Sequence, residues 1–321
     1  MEFRVHPGIL FYSMSSIDKH RTEPFGNLEF MAKQVVEGFI TGLHKSPFHG
    51  FSVEFAEHRL YNTGESTRHI DWKLYARTDK LFIKRYEEET NLRCQVIIDT
   101  SSSMFFPEVA PKGQYNKIGF SIHAAAALIE LLRRQRDAIG ISMFSDELEL
   151  HTPAKSSFSH QKYLFAELEK HLYQFQPAKP HKTRAATALH RIADAIHKRS
   201  LVVIFSDMFE TAQELEEVFS GLQHLRHNKH EVILFHVTDK KFEQDFQFDN
   251  RPHTFIDMES GEELKLNPAS VREHYLQSMA QFKQDLVRKC ASYSIDLVEA
   301  DIREGFDKVL MEYLIKRSKL Y

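Results

Sequence analysis

The chain has 321 residues, a formal net charge of −3 and 27% charged residues. This length is enough for one large or two ordinary domains, and the near-neutral charge gives no support to nucleic-acid binding driven by bulk charge. The apolar runs are far shorter than the roughly 18 residues that a membrane span needs, and the N-terminus lacks the pattern of a signal peptide. Two distant cysteines, Cys94 and Cys290, argue against a disulfide scaffold. We therefore expect a cytoplasmic protein without a membrane span.

The N-terminal part of the chain, residues 1–91, predicts one helix followed by a small β-rich unit. Apolar residues recur at helical spacing over residues 28–44. Residues 51–55 alternate between apolar and polar side chains, which is typical of a half-exposed strand. Residues 81–86 predict a further strand, whereas residues 70–76 favour neither a helix nor a strand.

The second part, residues 92–321, alternates between predicted strands and helices. The predicted strands are 95–98, 138–144, 147–151, 201–205, 231–237 and 295–298, with a hairpin over 252–266. The predicted helices are 117–136, 161–175, 186–198, 213–225, 269–291 and 306–317. Strands separated by helices of this length imply an α/β domain with a doubly wound, mostly parallel sheet covered on both faces. No flexible linker divides the two parts, so we expect them to pack closely.

A run of oxygen-bearing side chains follows the first strand of this sheet. The apolar residues 96–98 end at Asp99, and Ser101 and Ser103 complete the pattern Asp-x-Ser-x-Ser. Open α/β sheets bind ligands outside the carboxyl ends of their strands, and a carboxylate with two hydroxyls suits a hard cation such as Mg²⁺. A serine-rich turn after a strand is also compatible with a simple turn or a helix cap.

Two further polar residues lie at predicted junctions of the same sheet. Thr187 begins a predicted helix, and Asp207 follows the strand 201–205. Each of them alone would suit a helix cap or a turn. Together with Asp99, Ser101 and Ser103 they would give three hydroxyls and two carboxylates at one edge, which is an oxygen-rich shell for Mg²⁺ or Mn²⁺. Because hydroxyl ligands are neutral, such a site would attract an external carboxylate into an open coordination position.

This arrangement resembles the metal-ion-dependent adhesion site of von Willebrand factor A-like domains. In that family Asp-x-Ser-x-Ser follows the first strand, a threonine lies in a second loop, and an aspartate follows the fourth strand. The resemblance implies a von Willebrand factor A-like, Rossmann-like fold with the site residues Asp99, Ser101, Ser103, Thr187 and Asp207. The family threonine is often preceded by glycine, whereas Ala185 and Ala186 precede Thr187 here, and Thr183 is the other candidate.

The segment 58–89 resembles the signature of the bacterial domain of unknown function fifty-eight. Its recurring features are present as Arg59, Tyr61, Gly64, Arg68, Ile70, Asp71, Trp72, Ala76, Arg77, Leu81 and Glu88. Glu65 stands where aspartate is usual. We interpret the charged members as a buried ion-pair network and Trp72 as a packing anchor. The resemblance also implies a role beside a MoxR-type AAA+ ATPase, in a chaperone-like or metal-insertion pair.

Metal-dependent hydrolysis is the main rival to a binding function. A bound Mg²⁺ could activate water, but no histidine, lysine or glutamate lies close in sequence to Asp99 or Asp207 as a general base. Ser101 stands where an aspartate-based phosphatase would usually have a second carboxylate, and phosphate-binding glycine motifs and a nucleophile elbow are absent from the sequence.

The sequence therefore favours a non-enzymatic, metal-dependent protein-binding module in the cytoplasm. Its partner would be a MoxR-type ATPase or a client protein of that ATPase, which would complete the metal shell with a carboxylate. A phosphoesterase that depends on Mg²⁺ or Mn²⁺ and a structural scaffold with an empty site are the alternatives.

Overall fold

The structure is a computed structural model that describes most of the chain. It describes residues 27–42, 57–61, 72–85, 92–108, 114–145, 147–173, 185–209, 212–258 and 261–318. The chain divides into a small unit, residues 48–92, and a large unit formed by residues 1–47 and 93–321. None of the described helices is long and apolar enough to cross a membrane.

The first helix, α1 (Asn27–Gly42), belongs to the large unit rather than to the small one. The side chains of Ala32 and Val36 are 0% exposed, and the backbone N–H of Leu28 donates to Glu169 Oε1 at 3.2 Å. The predicted division into residues 1–91 and 92–321 is therefore wrong for this helix, because its apolar face is buried in the large unit.

Within residues 57–61 and 72–85, the described part of the small unit forms one helix and two short strands. Strand β1 (Glu57–Leu60) pairs antiparallel with β2 (Phe82–Arg85), and helix α2 (Trp72–Thr78) lies between them in the chain. The strand predicted at residues 81–86 is confirmed by β2, and residues 72–76 of the ambiguous segment 70–76 belong to α2. The predicted strand at residues 51–55 lies outside the described residues.

The large unit is built on a six-stranded sheet with the order β10-β7-β6-β3-β4-β5. Its strands are β3 (Arg93–Asp99), β4 (Ala138–Phe144), β5 (Leu148–His151), β6 (Leu201–Ser206), β7 (Glu231–Thr238) and β10 (Asp296–Asp301). All neighbours pair parallel except β5, which runs antiparallel to β4. The predicted mostly parallel sheet is confirmed, and so is the hairpin partner of the second strand.

Helices cover both faces of this sheet. They are α3 (Lys117–Arg134), α4 (Phe158–Tyr173), α5 (Ala185–Ala195), α6 (Ala212–His227), α7 (Pro268–Ser292) and α8 (Phe306–Ser318). Helix α3 contacts α1, α4 and α8, whereas α5, α6 and α7 share a second apolar core with the sheet. The predicted doubly wound α/β architecture is therefore confirmed. The predicted hairpin is also present, as β8 (His253–Ile256) paired with β9 (Glu263–Leu266).

The order of the strands fixes where a ligand site is expected. The chain runs outward from β3 to β4 and β5 on one side, and from β6 to β7 and β10 on the other. The direction in which the chain adds strands to the sheet therefore reverses between β3 and β6, and this place is the topological switch point. In open α/β sheets the crevice at the carboxyl ends of the strands that flank such a switch point is the usual ligand site.

Candidate functional site

Asp99 is the last residue of β3, and both of its carboxylate oxygens are held in place at the switch point. Its Oδ1 accepts a hydrogen bond from the backbone N–H of Ser101 at 2.9 Å. Its Oδ2 accepts a hydrogen bond from Ser206 Oγ, on the last residue of the neighbouring strand β6, at 2.7 Å. The side chain is buried, with 6% exposed. The two strands at the switch point thus jointly fix one carboxylate.

The two serines of the Asp-x-Ser-x-Ser pattern bring their hydroxyls together. The Oγ atoms of Ser101 and Ser103 lie 3.1 Å apart, and both residues are buried. A short 3₁₀ helix, Ser102–Phe105, curls the chain at this point. Thr100 is used differently, because its Oγ1 donates to the backbone oxygen of Phe144 at 2.9 Å. In the Asp-x-Ser-x-Ser pattern, the hydroxyls of Ser101 and Ser103 therefore lie side by side, whereas that of Thr100 bonds to the backbone.

Asp207 follows β6 and supplies the second carboxylate. Its Oδ1 accepts a hydrogen bond from the backbone N–H of Phe209 at 3.2 Å, and its Oδ2 lies 2.6 Å from Lys117 Nζ. The chain turns sharply here, because Met208 has a φ of 53°, and its N–H donates to Ser206 Oγ at 3.0 Å. The predicted aspartates thus both lie at the switch point.

Lys117 is a member of this site that the sequence analysis missed. It is the first residue of α3, is 0% exposed, and lies 2.6 Å from both Asp207 Oδ2 and Glu243 Oε1. Glu243 belongs to a π-helical turn, Lys240–Gln244, which follows β7. The only signal in the sequence is a lysine at the start of an otherwise apolar helix, and that signal does not identify its partners.

Burial dominates the electrostatics of the site. Burial and the charge of Asp207 raise the pKa of Asp99 to about 6. Burial raises the pKa of Glu243 to about 7, although Lys117 opposes this rise. Burial alone would lower the pKa of Lys117, but the two carboxylates beside it raise that pKa above its ordinary value. His236, whose Nε2 lies 2.9 Å from the backbone oxygen of Asp207, has its pKa lowered to about 4 by burial.

We call Asp99, Lys117, Asp207 and Glu243 the switch-point cluster. Asp207 and Glu243 share the ammonium of Lys117, and the charge of Asp207 acts on the carboxylate of Asp99. The fully ionised cluster therefore carries two negative charges in excess, and each of its members is at most 6% exposed. Uncompensated buried charge is costly, and a divalent cation would neutralise this excess. Next to the cluster lies a cavity of about 10 Å³, lined among others by Asp99, Ser101 and Asp207. That volume is about the size of one water molecule or small ion.

The donor set fits a hard cation rather than a soft one. Two serine hydroxyls and the carboxylates of Asp99 and Asp207 are oxygen donors, which Mg²⁺ and Mn²⁺ prefer. No group of three or more His, Cys, Asp or Glu side chains that could hold a metal occurs among the described residues. A metal at the switch point would therefore depend on the hydroxyls of Ser101 and Ser103 as well as on the carboxylates.

The structure does not bring Thr187 into the cluster. Thr187 lies in the first turn of α5 and is exposed, whereas Ala185 and Leu189 of the same helix line the cavity. The prediction of Thr187 as a ligand is therefore not supported, because the rotation of α5 directs its neighbours, and not its own hydroxyl, towards the cavity. Thr183, the other candidate, lies outside the described residues.

The signature residues of the small unit are only partly described. Trp72 is 61% exposed, with its ring 6.2 Å from that of Tyr75, so the prediction of a packing anchor is wrong. Arg77 is exposed in the last turn of α2, which excludes it from a buried ion-pair network. Tyr61 is half-buried, and its N–H donates to the backbone oxygen of Leu81. The remaining signature residues lie outside the described residues or have side chains that are not described: Arg59, Gly64, Arg68, Asp71 and Glu88.

Comparison with known proteins finds bacterial relatives of this chain. The uncharacterized proteins Mb1516 of Mycobacterium bovis and Rv1480 of Mycobacterium tuberculosis are each 24% identical over 266 residues, which covers 81% of this chain and 78% of theirs. Among solved structures, BatB, a conserved hypothetical protein of Bacteroides thetaiotaomicron, has a TM-score of 0.41 at 11% identity and covers 71% of this chain and 100% of its own. An aerotolerance-related membrane protein of Bacteroides fragilis has a TM-score of 0.40 at 10% identity, with 72% and 100% covered.

A family model covers most of the chain. The model described as "Protein of unknown function DUF58" matches residues 57–285. The match begins in β1, at the signature segment, and ends within α7, so it includes all four members of the switch-point cluster. The chain therefore belongs to the DUF58 family.

Proposed function

We propose that this chain is a protein-binding module without catalytic activity, and that its switch point takes up Mg²⁺ or Mn²⁺ to recruit an acidic partner. The observation that carries the proposal is the excess of buried carboxylate charge beside two facing serine hydroxyls. Asp99, Ser101, Ser103 and Asp207 would hold the ion, which would supply a positive centre for a carboxylate of the partner. This location is also where doubly wound sheets bind ligands.

The contacts of each residue suggest how the chain prepares this site. Ser206 and the backbone of Ser101 fix the orientation of the Asp99 carboxylate. Lys117 Nζ donates a hydrogen bond to one oxygen of Asp207. The hydroxyls of Ser101 and Ser103 are hydrogen-bonded to each other. Two of the four ligands are neutral hydroxyls, so an external carboxylate would bind the ion at an open coordination position.

The bonding of the nearby acid–base groups favours binding over hydrolysis. Both oxygens of Glu243 are engaged, one by Lys117 and the other by the backbone N–H of Asp239 at 2.6 Å. His236 is only 3% exposed, and its Nε2 lies 2.9 Å from the backbone oxygen of Asp207. Among the described residues at the site, neither side chain is therefore placed to activate water as a general base.

The partner that we propose is a MoxR-type AAA+ ATPase, or a client protein of that ATPase, in the cytoplasm. This assignment rests on the resemblance of the signature segment, and the partner would contribute a carboxylate to the metal shell. The chain would then act as an adaptor in a chaperone-like assembly or maturation step.

Manganese titration and a pull-down test the metal and the partner separately. We expect the wild type to bind about one Mn²⁺ per chain and to retain a co-expressed MoxR-type ATPase in Mg²⁺ but not in EDTA. Asp99→Ala should lose both activities. Asp296→Ala, which changes an exposed aspartate on the edge strand β10, is the matched control and should keep both.

Each contrary result points to a different alternative. Retention of the ATPase in EDTA, or by Asp99→Ala, would contradict the metal bridge. Sustained turnover of phosphoesters in Mg²⁺ or Mn²⁺ that is lost in Asp99→Ala would favour the hydrolase. An absence of Mn²⁺ binding in the wild type would favour a scaffold with an empty site.

A further inference from the structure

Helices α5 and α6 approach each other unusually closely, and a glycine permits this approach. A Cβ atom placed on Gly221 of α6 would lie 2.8 Å from Leu189 Cβ and 3.4 Å from the backbone oxygen of Ala186, both on α5. The first of these distances is too short for two carbon atoms. Asn228, which directly follows α6, also links the two helices, because its Nδ2 donates to the backbone oxygen of Ala193 on α5 at 3.0 Å. The relative position of the two helices is therefore well defined.

This close packing places two histidines face to face. His190, which follows Leu189, and His224, three residues after Gly221, have their Nδ1 atoms 3.1 Å apart. Their ring centroids are 5.3 Å apart and their planes are inclined by 43°. Only one proton fits between the two nitrogens, so one Nδ1 must present a lone pair to the other.

An aspartate favours the tautomer in which His224 presents that lone pair. His224 Nε2 lies 3.5 Å from Asp194 Oδ1, which places a carboxylate on the side of the ring opposite His190. A proton on Nε2 of His224 faces this carboxylate, and Nδ1 is then free of a proton. Metal-binding histidines commonly have this arrangement, in which the second ring nitrogen faces a carboxylate that orients the ring.

We propose that His190 and His224 form a binding site for a transition-metal ion such as Zn²⁺, with both Nδ1 atoms as ligands. We call it the two-histidine site. Tetrahedral zinc with Zn–N bonds of about 2.0–2.1 Å separates two nitrogen ligands by roughly 3.3 Å, which is close to the separation already present. Both rings are half-buried, and His224 is 29% exposed, so water can reach the site and complete the coordination. Binding requires only that His190 carry its proton on Nε2.

The two-histidine site differs in chemistry from the switch-point cluster. Imidazole nitrogens favour Zn²⁺, Cu²⁺ and Ni²⁺, whereas hydroxyls and carboxylates favour Mg²⁺ and Mn²⁺. The helices α5 and α6 that carry the histidines also supply Leu189 and Leu222 to the wall of the cavity at the switch point. Zinc at the two-histidine site would therefore hold together α5 and α6, which border the switch-point cluster, without sharing ligands with that cluster.

Zinc titration of the tag-free full chain against a chromophoric chelator, in saturating Mg²⁺, tests this proposal. We expect about one Zn²⁺ per chain, with His190→Ala and His224→Ala each weakening its affinity by at least about tenfold. Asp194→Asn should weaken it by roughly tenfold, because the carboxylate acts through His224. The exposed His227, on the same helix as His224, provides the matched control, and His227→Ala should bind Zn²⁺ like the wild type.

Thermal unfolding supplies a second measurement that does not depend on the chelator. Zn²⁺ should raise the Tm of the wild type and of Asp99→Ala, but not that of His190→Gln or His224→Gln. His190→Gln and His224→Gln should melt at the wild-type temperature in EDTA, because both rings lie partly in solvent, and Asp99→Ala is compared with its own Tm in EDTA. Equal Zn²⁺ affinity in the wild type and in the double variant of His190 and His224 would overturn the proposal, and so would an equal loss in His227→Ala. Because Asp99→Ala removes the other metal site, the two proposals can fail independently.

Discussion

Helix α3 has a buried charge cluster near each end, and the two clusters are built in different ways. Near its C-terminal end, Glu130 is 0% exposed and accepts hydrogen bonds from Arg133 and Arg134, which lie on the same helix and are 28% and 30% exposed. At its N-terminal end, Lys117 contacts Asp207 and Glu243, which lie 90 and 126 residues further along the chain. All three of these side chains are at most 2% exposed.

The difference shows which buried charges indicate a ligand. The Glu130 cluster has two guanidinium groups for one buried carboxylate, water can hydrate both of those groups, and Arg134 also lies 3.3 Å from the exposed Glu37 of α1. The charges of this cluster are therefore satisfied without a ligand. The switch-point cluster is buried, draws on distant elements and has more carboxylates than cations. Buried charge of this kind is stable only with a partner. The second cluster therefore suggests a bound cation, whereas the first is explained by helix stability.

Lys117→Met should give the largest effect on stability. The substitution keeps the approximate volume but leaves Asp207 and Glu243 buried without their shared cation. Breaking a buried pair in this way costs about 3–5 kcal/mol. Urea unfolding at pH 7.5 measures this loss. A loss below about 1 kcal/mol would mean that the two ends of α3 do not differ as argued.

Added Mg²⁺ should stabilise the wild type through the switch-point cluster. At a free concentration of one hundred times the dissociation constant, binding to the native state alone adds about 2.7 kcal/mol to the free energy of unfolding. Asp99→Asn should show little of this gain, because it removes one of the anionic ligands. Equal stabilisation of both proteins would assign the effect to nonspecific ion binding.

Without a metal, Asp99→Asn should be more stable than the wild type at pH 7.5. The folded-state pKa of Asp99 is about 6, above its ordinary value of 3.8, so the ionised carboxylate destabilises the native state. This penalty is absent below pH 4, grows as the pH rises towards 6 and is then constant. It amounts to about 3 kcal/mol at most, and we expect about 1–2 kcal/mol because asparagine forms weaker hydrogen bonds here.

Urea unfolding in EDTA between pH 5 and pH 7.5 measures this difference. The advantage of Asp99→Asn should shrink as the pH falls, because protons relieve the same charge in the wild type. A constant difference over this range, or a variant that is less stable at pH 7.5, would show that Asp99 is not under electrostatic strain.

The sequence predicted the elements of the large unit and the location of its site. Alternating strands and helices require parallel crossovers, and these bring the carboxyl ends of β3 and β6 together. Asp99 and Asp207 were therefore predictable as neighbours. The bond between Asp99 and Ser206 joins the ends of these two strands, and the facing of Ser101 and Ser103 follows from the local turn.

Three features could not be predicted, for different physical reasons. Lys117 resembles an ordinary lysine in the first turn of a helix, and its partners are fixed only by the tertiary fold. The exposure of Thr187 depends on the rotation of α5, and spacing along the chain does not define that rotation. Similarly, the sequence pattern around Trp72 did not reveal a short helix with an exposed ring.

Arg133→Ala should give the smallest effect and completes the comparison between the ends of α3. Arg134 Nε remains 2.9 Å from Glu130 Oε1, and water can replace the lost guanidinium. A partly exposed pair contributes about 0–1 kcal/mol, so we expect a loss below about 1 kcal/mol in urea unfolding.

The pH dependence of the Glu130 cluster should also have the opposite sign to that of Asp99. Burial favours a higher pKa for Glu130, but hydrogen bonds from Arg133 and Arg134 outweigh it, so the pKa lies below its ordinary value of 4.5. The stabilisation is therefore fully present above pH 4.5 and is lost as the pH falls through the lower, folded-state pKa. The difference between the wild type and Arg133→Ala should stay constant from pH 5 to pH 7.5, where the Asp99→Asn difference changes. A parallel change in both series would mean that one general titration, rather than two distinct clusters, determines the response of the protein to pH.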